Sequence, residues 1–235
     1  MPVIKMKESR NLCDLKSCFL CKLCLPEWLP ALEVQKKTFE VKKGEAIFKE
    51  GDPVNGIYFV YSGTVKVHKR WDKEKELIIR FAGPEDIIGH LGLGKEPLYP
   101  VSATALENTV VCYLERDFFE TTLKVNTELT YMLMQFFANE LQDSHRAMRD
   151  LAHMSVKARI AQAILALLHR FGVDNNGFIA LALARQDIAS FSGTTYETLF
   201  KLCNDFVKDQ IIEVSGRNIR VLDEKLLSEI VGVID

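Results

Sequence analysis

Four of the six cysteines in this 235-residue chain fall within twelve residues, in the stretch NLCDLKSCFLCKLCLPEW: Cys13, Cys18, Cys21 and Cys24. Thiolates are soft ligands, and the run Cys18-x2-Cys21-x2-Cys24 has the tight spacing that lets three sulfurs cap three irons of a cubane cluster, the fourth ligand coming from elsewhere. The same four thiolates would suit tetrahedral zinc. A bland alternative is that they are small hydrophobes in a helix, a common use of free cysteine, but four in twelve residues fits that use poorly. The opening residues MPVIKMKESR carry neither the apolar core nor the small-residue cleavage site of an export signal. The chain is therefore expected in the reducing cytoplasm, where clustered cysteines point to a metal site before a disulfide framework.

Composition sets the frame that must position these sulfurs. With 48% hydrophobic residues the chain can bury one large core or two small ones. A formal net charge of −2 argues neither for nor against an anionic partner. The longest apolar stretch, IAQAILALL, is too short to span a bilayer, so no membrane partner is expected.

From Phe39 to about Glu115 short runs rich in Val, Ile, Phe and Tyr (GIYFVYSG, TVKVHK, ELIIRFAG, TVVCYL) alternate with turn residues such as EGDPVNG. That texture predicts an antiparallel barrel or roll. From Arg116 to about Phe171 the pattern turns helical. Met134, Phe137, Leu141, Ser144, Met148 and Leu151 recur at spacings of 3, 4, 3, 4 and 3, a heptad seam that predicts pairing with a second copy. Packing against the chain's own roll is the alternative. Ser144 in mid-seam is a polar residue that costs stability and sets register.

After FGVDNNG, the stretch ARQDIASFSGTTYETLFKLCNDFVKDQ predicts a helix, a tight turn at Ser192-Gly193 and a second helix, and IIEVSGRNIRVL predicts a hairpin. Together these make a winged helix-turn-helix. The second helix of such a motif enters the major groove of DNA. Tyr196, Glu197, Phe200 and Lys201 share one face of it; Glu197 suits a cytosine amino group and Lys201 a guanine O6 and N7. Thr195, Thr198 and Gln186 suit phosphate oxygens. From Ser155 onward there are nine Lys/Arg against ten Asp/Glu, so only local basic residues, Arg185, Lys201, Lys208, Arg217 and Arg220, can make a DNA footprint. Docking of this hairpin on protein is the competing use. Cys203, four residues after Leu199, is expected in the core.

The order roll, long helix, winged helix-turn-helix resembles the Crp/Fnr superfamily of bacterial transcription regulators over nearly the whole chain. The carrying motifs are KKGEAIFKEGDPVNGIYFVYSGTVKV, DIIGHLGL, VKARIAQAILAL and RQDIASFSGTTYETL. The resemblance implies an α+β fold with a cysteine-bearing segment at 1–28, an antiparallel β-roll of the cyclic-nucleotide-binding kind at 29–126, a dimerisation helix at 127–154 and a winged helix-turn-helix at 155–235. It implies a homodimer, a palindromic double-stranded operator and RNA polymerase as partners, and no enzymatic activity.

In cyclic-nucleotide members of that superfamily the roll offers a Gly-Glu pair to the ribose and an Arg-Ser pair to the phosphate. Here Gly89-His90 and Val101-Ser102 stand at those places, with Ser144 and His145 where the long helix meets the base. A partly buried phosphate needs a cation, and neither Pro100 nor Val101 supplies one, so cyclic-nucleotide sensing is disfavoured. Fnr-type members carry an N-terminal cysteine cluster plus one roll cysteine, together holding an iron–sulfur cluster of the 4Fe–4S type. Cys112, in TVVCYLERDFF, falls at the roll position and Cys24 at the last N-terminal one. The resemblance thus implies Cys18, Cys21, Cys24 and Cys112 as ligands. Fnr-type regulators space the last two N-terminal ligands further apart, and Cys13 is a possible substitute. Zinc, or no metal, remains open. So does a small-molecule or haem effector in the roll, to which His90 would contribute. A cupin-like metalloenzyme would need clustered His and Glu ligands, and His68 and His90 stand isolated.

Overall fold

The structure, a computed structural model, describes residues 7–8, 14, 18–72 and 75–232, and it divides into two compact units, 1–140 and 141–235. In the first unit a short strand β1 (Lys7–Glu8) precedes helices α1 (Phe19–Leu23) and α2 (Leu29–Gln35). Eight strands follow: β2 (Lys37–Val41), β3 (Ala46–Phe48), β4 (Gly56–Ser62), β5 (Val65–Arg70), β6 (Glu76–Ala82), β7 (Ile87–Ile88), β8 (Ser102–Ala105) and β9 (Thr109–Glu115). They form a five-stranded sheet of order β1-β2-β9-β4-β7 and a four-stranded sheet of order β3-β8-β5-β6, antiparallel at every named pairing. This is the expected roll.

The five-stranded sheet is covered on both faces, which explains why β4 reads as an unbroken apolar run. Tyr58 and Val60 point to the core between the sheets, with Val41, Phe48, Val67, Tyr99 and Val111. Ile57 and Phe59 point to a second core, under the helices. The same period-2 alternation sends Val111 of β9 to the first core and its neighbour Cys112 to the second. Gly56 has to be glycine, since a Cβ there would lie 2.2 Å from the Leu114 carbonyl oxygen.

Helix α3 (Arg116–Val125) leads into the 27-residue helix α4 (Thr127–His153) through a corner at Asn126. That residue is buried, donates from Nδ2 to the Thr122 carbonyl at 2.8 Å and accepts the Leu25 N–H on Oδ1 at 2.7 Å. In α4, Leu129 and Leu133 are buried, whereas every residue from 141 to 149 is exposed.

The second unit holds the end of α4 and helix α5 (Val156–Phe171), whose first turn is capped by Ser155 Oγ accepting the Ala158 N–H. Helices α6 (Arg185–Phe191) and α7 (Tyr196–Lys208) follow, then the hairpin β10 (Ile212–Ser215) and β11 (Asn218–Val221), and α8 (Glu224–Val231). Gly193, at φ +63, makes the turn between α6 and α7, and a Cβ on it would lie 2.5 Å from Leu151 Cδ2. The winged helix-turn-helix is as the sequence predicts.

Candidate functional site

The alternation of β9 and the fold of the N-terminal segment bring four thiols into one apolar cluster. Cys18, Cys21, Cys24 and Cys112 are 1%, 5%, 7% and 0% exposed and share the second core with Leu129, Leu133, Phe136 and Phe137 of α4. Cys18 is the N-cap of α1, its Sγ accepting the Cys21 N–H at 3.4 Å. Cys24 ends the helix and is held by its neighbour Leu25, whose N–H binds Asn126. Trp28 adds a second tether, its indole N–H donating to Thr122 Oγ1 and its ring stacking on Phe118. Burial pushes the Cys24 thiol pKa up, and the nearby Cys18 adds to the shift. Among the described residues no three His, Cys, Asp or Glu side chains are arranged as a ready coordination shell. In donor chemistry the set fits an iron–sulfur cluster: soft sulfur ligands, gathered in an apolar surround. Cys13 lies outside the described residues.

An aromatic row packs in the core of the roll. Phe48 stacks on Tyr99 at 4.1 Å, Tyr58 and Tyr113 continue the aromatic row, and Tyr99 donates its hydroxyl to the Gly56 carbonyl. Burial pushes the pKa values of Tyr58 and Tyr99 far up, so both stay neutral phenols. Gly89 takes φ +83, a Cβ there meeting the Tyr99 ring at 3.1 Å. Ser102 Oγ accepts the Glu50 N–H. Nearby, an open depression is lined by Glu50, Lys69, Glu96 and Pro100, with Lys69 already paired to Glu50 at 3.3 Å.

His90 is 2% exposed, and its Nε2 is 2.7 Å from Glu140 of α4. Glu140 also takes Arg80 Nε at 2.7 Å, and Arg80 donates again to the Ile87 carbonyl. The rings of Phe136 and Phe137 stand edge-on to His90 at 5.0 and 5.3 Å. This Arg80–Glu140–His90 chain was not read from the sequence; the arginine inside the apolar run ELIIRFAG was its only signal. Ser144 and His145 are exposed positions of α4 in the second unit.

On α7, Tyr196, Glu197, Phe200 and Lys201 are all exposed on one side, while Leu199, Cys203 and Phe206 face the core. Thr195 is the N-cap, its Oγ1 accepting the Thr198 N–H, and the two threonine hydroxyls lie 3.1 Å apart. Gln186 is exposed on the first turn of α6. Arg185 is engaged elsewhere: its guanidinium donates to the carbonyls of Gly216 and Arg217, tying the wing to α6, and burial pulls its pKa down. Arg220 pairs with Glu213 and lies over the Phe178 ring. Lys201 and Lys208 on the reader helix and Arg217 at the wing turn are exposed cations. Arg159 of α5 was also missed by sequence reasoning. It donates to the carbonyls of Met154, Ser192 and Gly193 at 3.0–3.2 Å, joining the end of α4 to the reader turn.

A roll, a long helix with an unburied apolar row and a winged helix-turn-helix in one chain define a transcription regulator. Residues 38–126 match the cyclic nucleotide-binding domain family, and residues 158–230 match the Crp-like helix-turn-helix domain. The sequence is 32% identical over 227 residues to the transcriptional activator protein anr of Pseudomonas aeruginosa, covering 92% of each chain. It is 30% identical over 239 residues to the transcriptional activator protein FnrA of Stutzerimonas stutzeri, covering 97% of this chain and 96% of that one. The solved structure of FixK2 from Bradyrhizobium japonicum matches with a TM-score of 0.74 at 25% identity, over 85% of this chain and 99% of that one. The chain belongs to the Crp/Fnr family of transcription regulators, and its relatives are regulators rather than enzymes.

Proposed function

We propose that the chain is a cytoplasmic, homodimeric regulator that binds a palindromic operator and responds to oxygen or nitric oxide through its cysteine site. The observation that carries this is the gathering of Cys18, Cys21, Cys24 and Cys112 in one buried cluster with the first half of α4. These four thiols would hold an iron–sulfur cluster, which supplies iron and sulfide reactive toward both gases. The chain's own residues do the rest. Asn126, Thr122 and Trp28 tether the cysteine segment to the α3–α4 corner. Phe136 and Phe137 pack on the same apolar cluster, and Phe137 is also a seam position, so the state of the thiol site bears directly on the surface that pairs two copies.

The seam reading is supported by exposure: Met134, Leu141, Met148 and Leu151 are 59%, 57%, 62% and 42% exposed. Pairing would bury them and present two reader helices about one helical turn of DNA apart. Glu197 and Lys201 read base edges, and Thr195, Thr198, Gln186 and Arg217 contact phosphates. RNA polymerase is the further partner that family membership implies.

The deciding experiment is the visible absorption spectrum, with iron and sulfide content, of protein purified without oxygen. Brown protein that bleaches in air, and a colourless Cys112→Ser variant, are expected. Colourless anaerobic protein with one zinc per chain would overturn the gas-sensing reading and leave the thiols structural.

A further inference from the structure

Tyr196 and Phe200 lie one turn apart at the start of α7, 43% and 53% exposed, and their rings stack at 6.2 Å with an interplanar angle of 17°. They are not needed to pack the domain, because Leu199, Cys203 and Phe206 already furnish the buried side of that helix. Two large apolar rings held together in solvent form a patch shaped for an occupant. The exposed charges of Glu197 and Lys201 stand beside them, in the first turns of the helix that a winged helix-turn-helix inserts into the major groove. Neighbouring charges of both signs suit a surface of mixed donors and acceptors better than an apolar protein face. The apolar feature that base edges offer in the major groove is the thymine 5-methyl group.

We infer that Tyr196 and Phe200 form an apolar clamp for thymine methyl groups, making an A·T pair a requirement of each operator half-site at the step facing the start of α7. The inference rests on the DNA-reading assignment above and adds to it the identity of a base. Glu197 and Lys201 select by hydrogen bonding; the aromatic pair selects by excluding water from a methyl group, which a cytosine or a uracil at that place lacks.

The test uses duplexes enriched from a randomised library by the full-length protein, with each symmetric thymine pair replaced in turn by deoxyuracil, which removes only the methyl groups. At one position the wild-type affinity should fall about fourfold per half-site, or roughly 15-fold when both half-sites are changed, the worth of one buried methyl each. That loss should vanish in Phe200→Ala or Tyr196→Ala protein and persist in Tyr196→Phe, which keeps the ring. Enriched duplexes whose thymine methyls are all dispensable would overturn the inference and leave the reader assignment standing. So would a methyl effect unchanged in both alanine variants. A library from which nothing is enriched would overturn the reader assignment itself, and the clamp with it.

Discussion

His90 Nε2 of the roll and Glu140 Oε2 of the long helix meet at 2.7 Å, inside an enclosure made by the edges of Phe136 and Phe137. Glu140 is shared with Arg80, so one carboxylate joins the four-stranded sheet, the turn after β7 and α4. Burial pushes the Glu140 pKa up, but the His90 hydrogen bond and the Arg80 charge outweigh it and hold the carboxyl below its usual range. Glu140→Gln keeps the shape and removes the charge that Arg80 and His90 meet. The variant should lose ~1–3 kcal/mol, read as an earlier urea midpoint followed by tryptophan fluorescence. An unchanged midpoint would show that the Glu140 charge contributes nothing to holding the fold.

Acid should also act on a second carboxylate, Glu76. A hydrogen bond from His68 pulls Glu76 down, burial opposes, and Lys66 at 2.5 Å pulls it further, to about 2; Arg70 lies 3.8 Å away. Because the folded pKa is below the unfolded one, the stabilisation is complete above the ordinary carboxylate range and is lost as pH falls toward 2. Allowing for solvent screening it amounts to ~1–2 kcal/mol. Wild-type protein should therefore exceed Glu76→Gln in stability at neutral pH by about that amount, and the two unfolding curves should converge as the pH is lowered. Curves that stay parallel down to acid pH would remove Glu76 from the acid response.

The roll strands, the long helix and the reader motif were legible in the sequence because each is signalled locally, whereas α1, α2 and α8 were not read from it. The turn residues of EGDPVNG, the apolar run of β4 and the helix-turn-helix around Gly193 depend on neighbours a few positions away. The gathering of Cys112 with Cys18, Cys21 and Cys24 could be expected only from family resemblance, since spacing says nothing about residues some ninety positions apart. The Arg80–Glu140–His90 chain and the Arg159 clamp were illegible for the same reason: each joins partners far apart in sequence, and a lone Arg or Glu carries no mark of what it will meet. Arg185 has a role that the sequence did not mark. A basic residue opening a DNA-binding helix suggests a phosphate contact, but its guanidinium serves the wing backbone.

The structure also sharpens how the dimer seam is to be tested. Phe137 is half-buried and packed on the thiol cluster, so a charge there would damage the first unit whether or not it pairs with another chain. Leu141 and Met148 are exposed and touch no core. Leu141→Asp with Met148→Asp should leave unfolding of the isolated chain within about 0.5 kcal/mol of wild type yet yield a monomer in sedimentation at micromolar concentration. A double variant that sediments as a dimer would move the interface off α4.

Arg159 should govern how firmly the reader is set. Its three donors bind the carbonyls of Met154, Ser192 and Gly193, groups at the end of α4 and in the turn before α7 that the helices themselves leave unsatisfied. Lysine carries the same charge but lacks the planar fork that reaches several acceptors at once. Arg159→Met should therefore cost ~2–4 kcal/mol, as several charge-assisted bonds are lost and partly buried carbonyls are left unpaired. Arg159→Lys should recover only part of that. At temperatures where both variants remain folded, their affinity for an enriched operator should still fall, because the turn that aims Tyr196 and Lys201 is no longer pinned. Denaturation of Arg159→Met at the wild-type midpoint would show that the three carbonyls are satisfied by water equally well. Normal operator affinity in a destabilised variant would confine Arg159 to holding the fold.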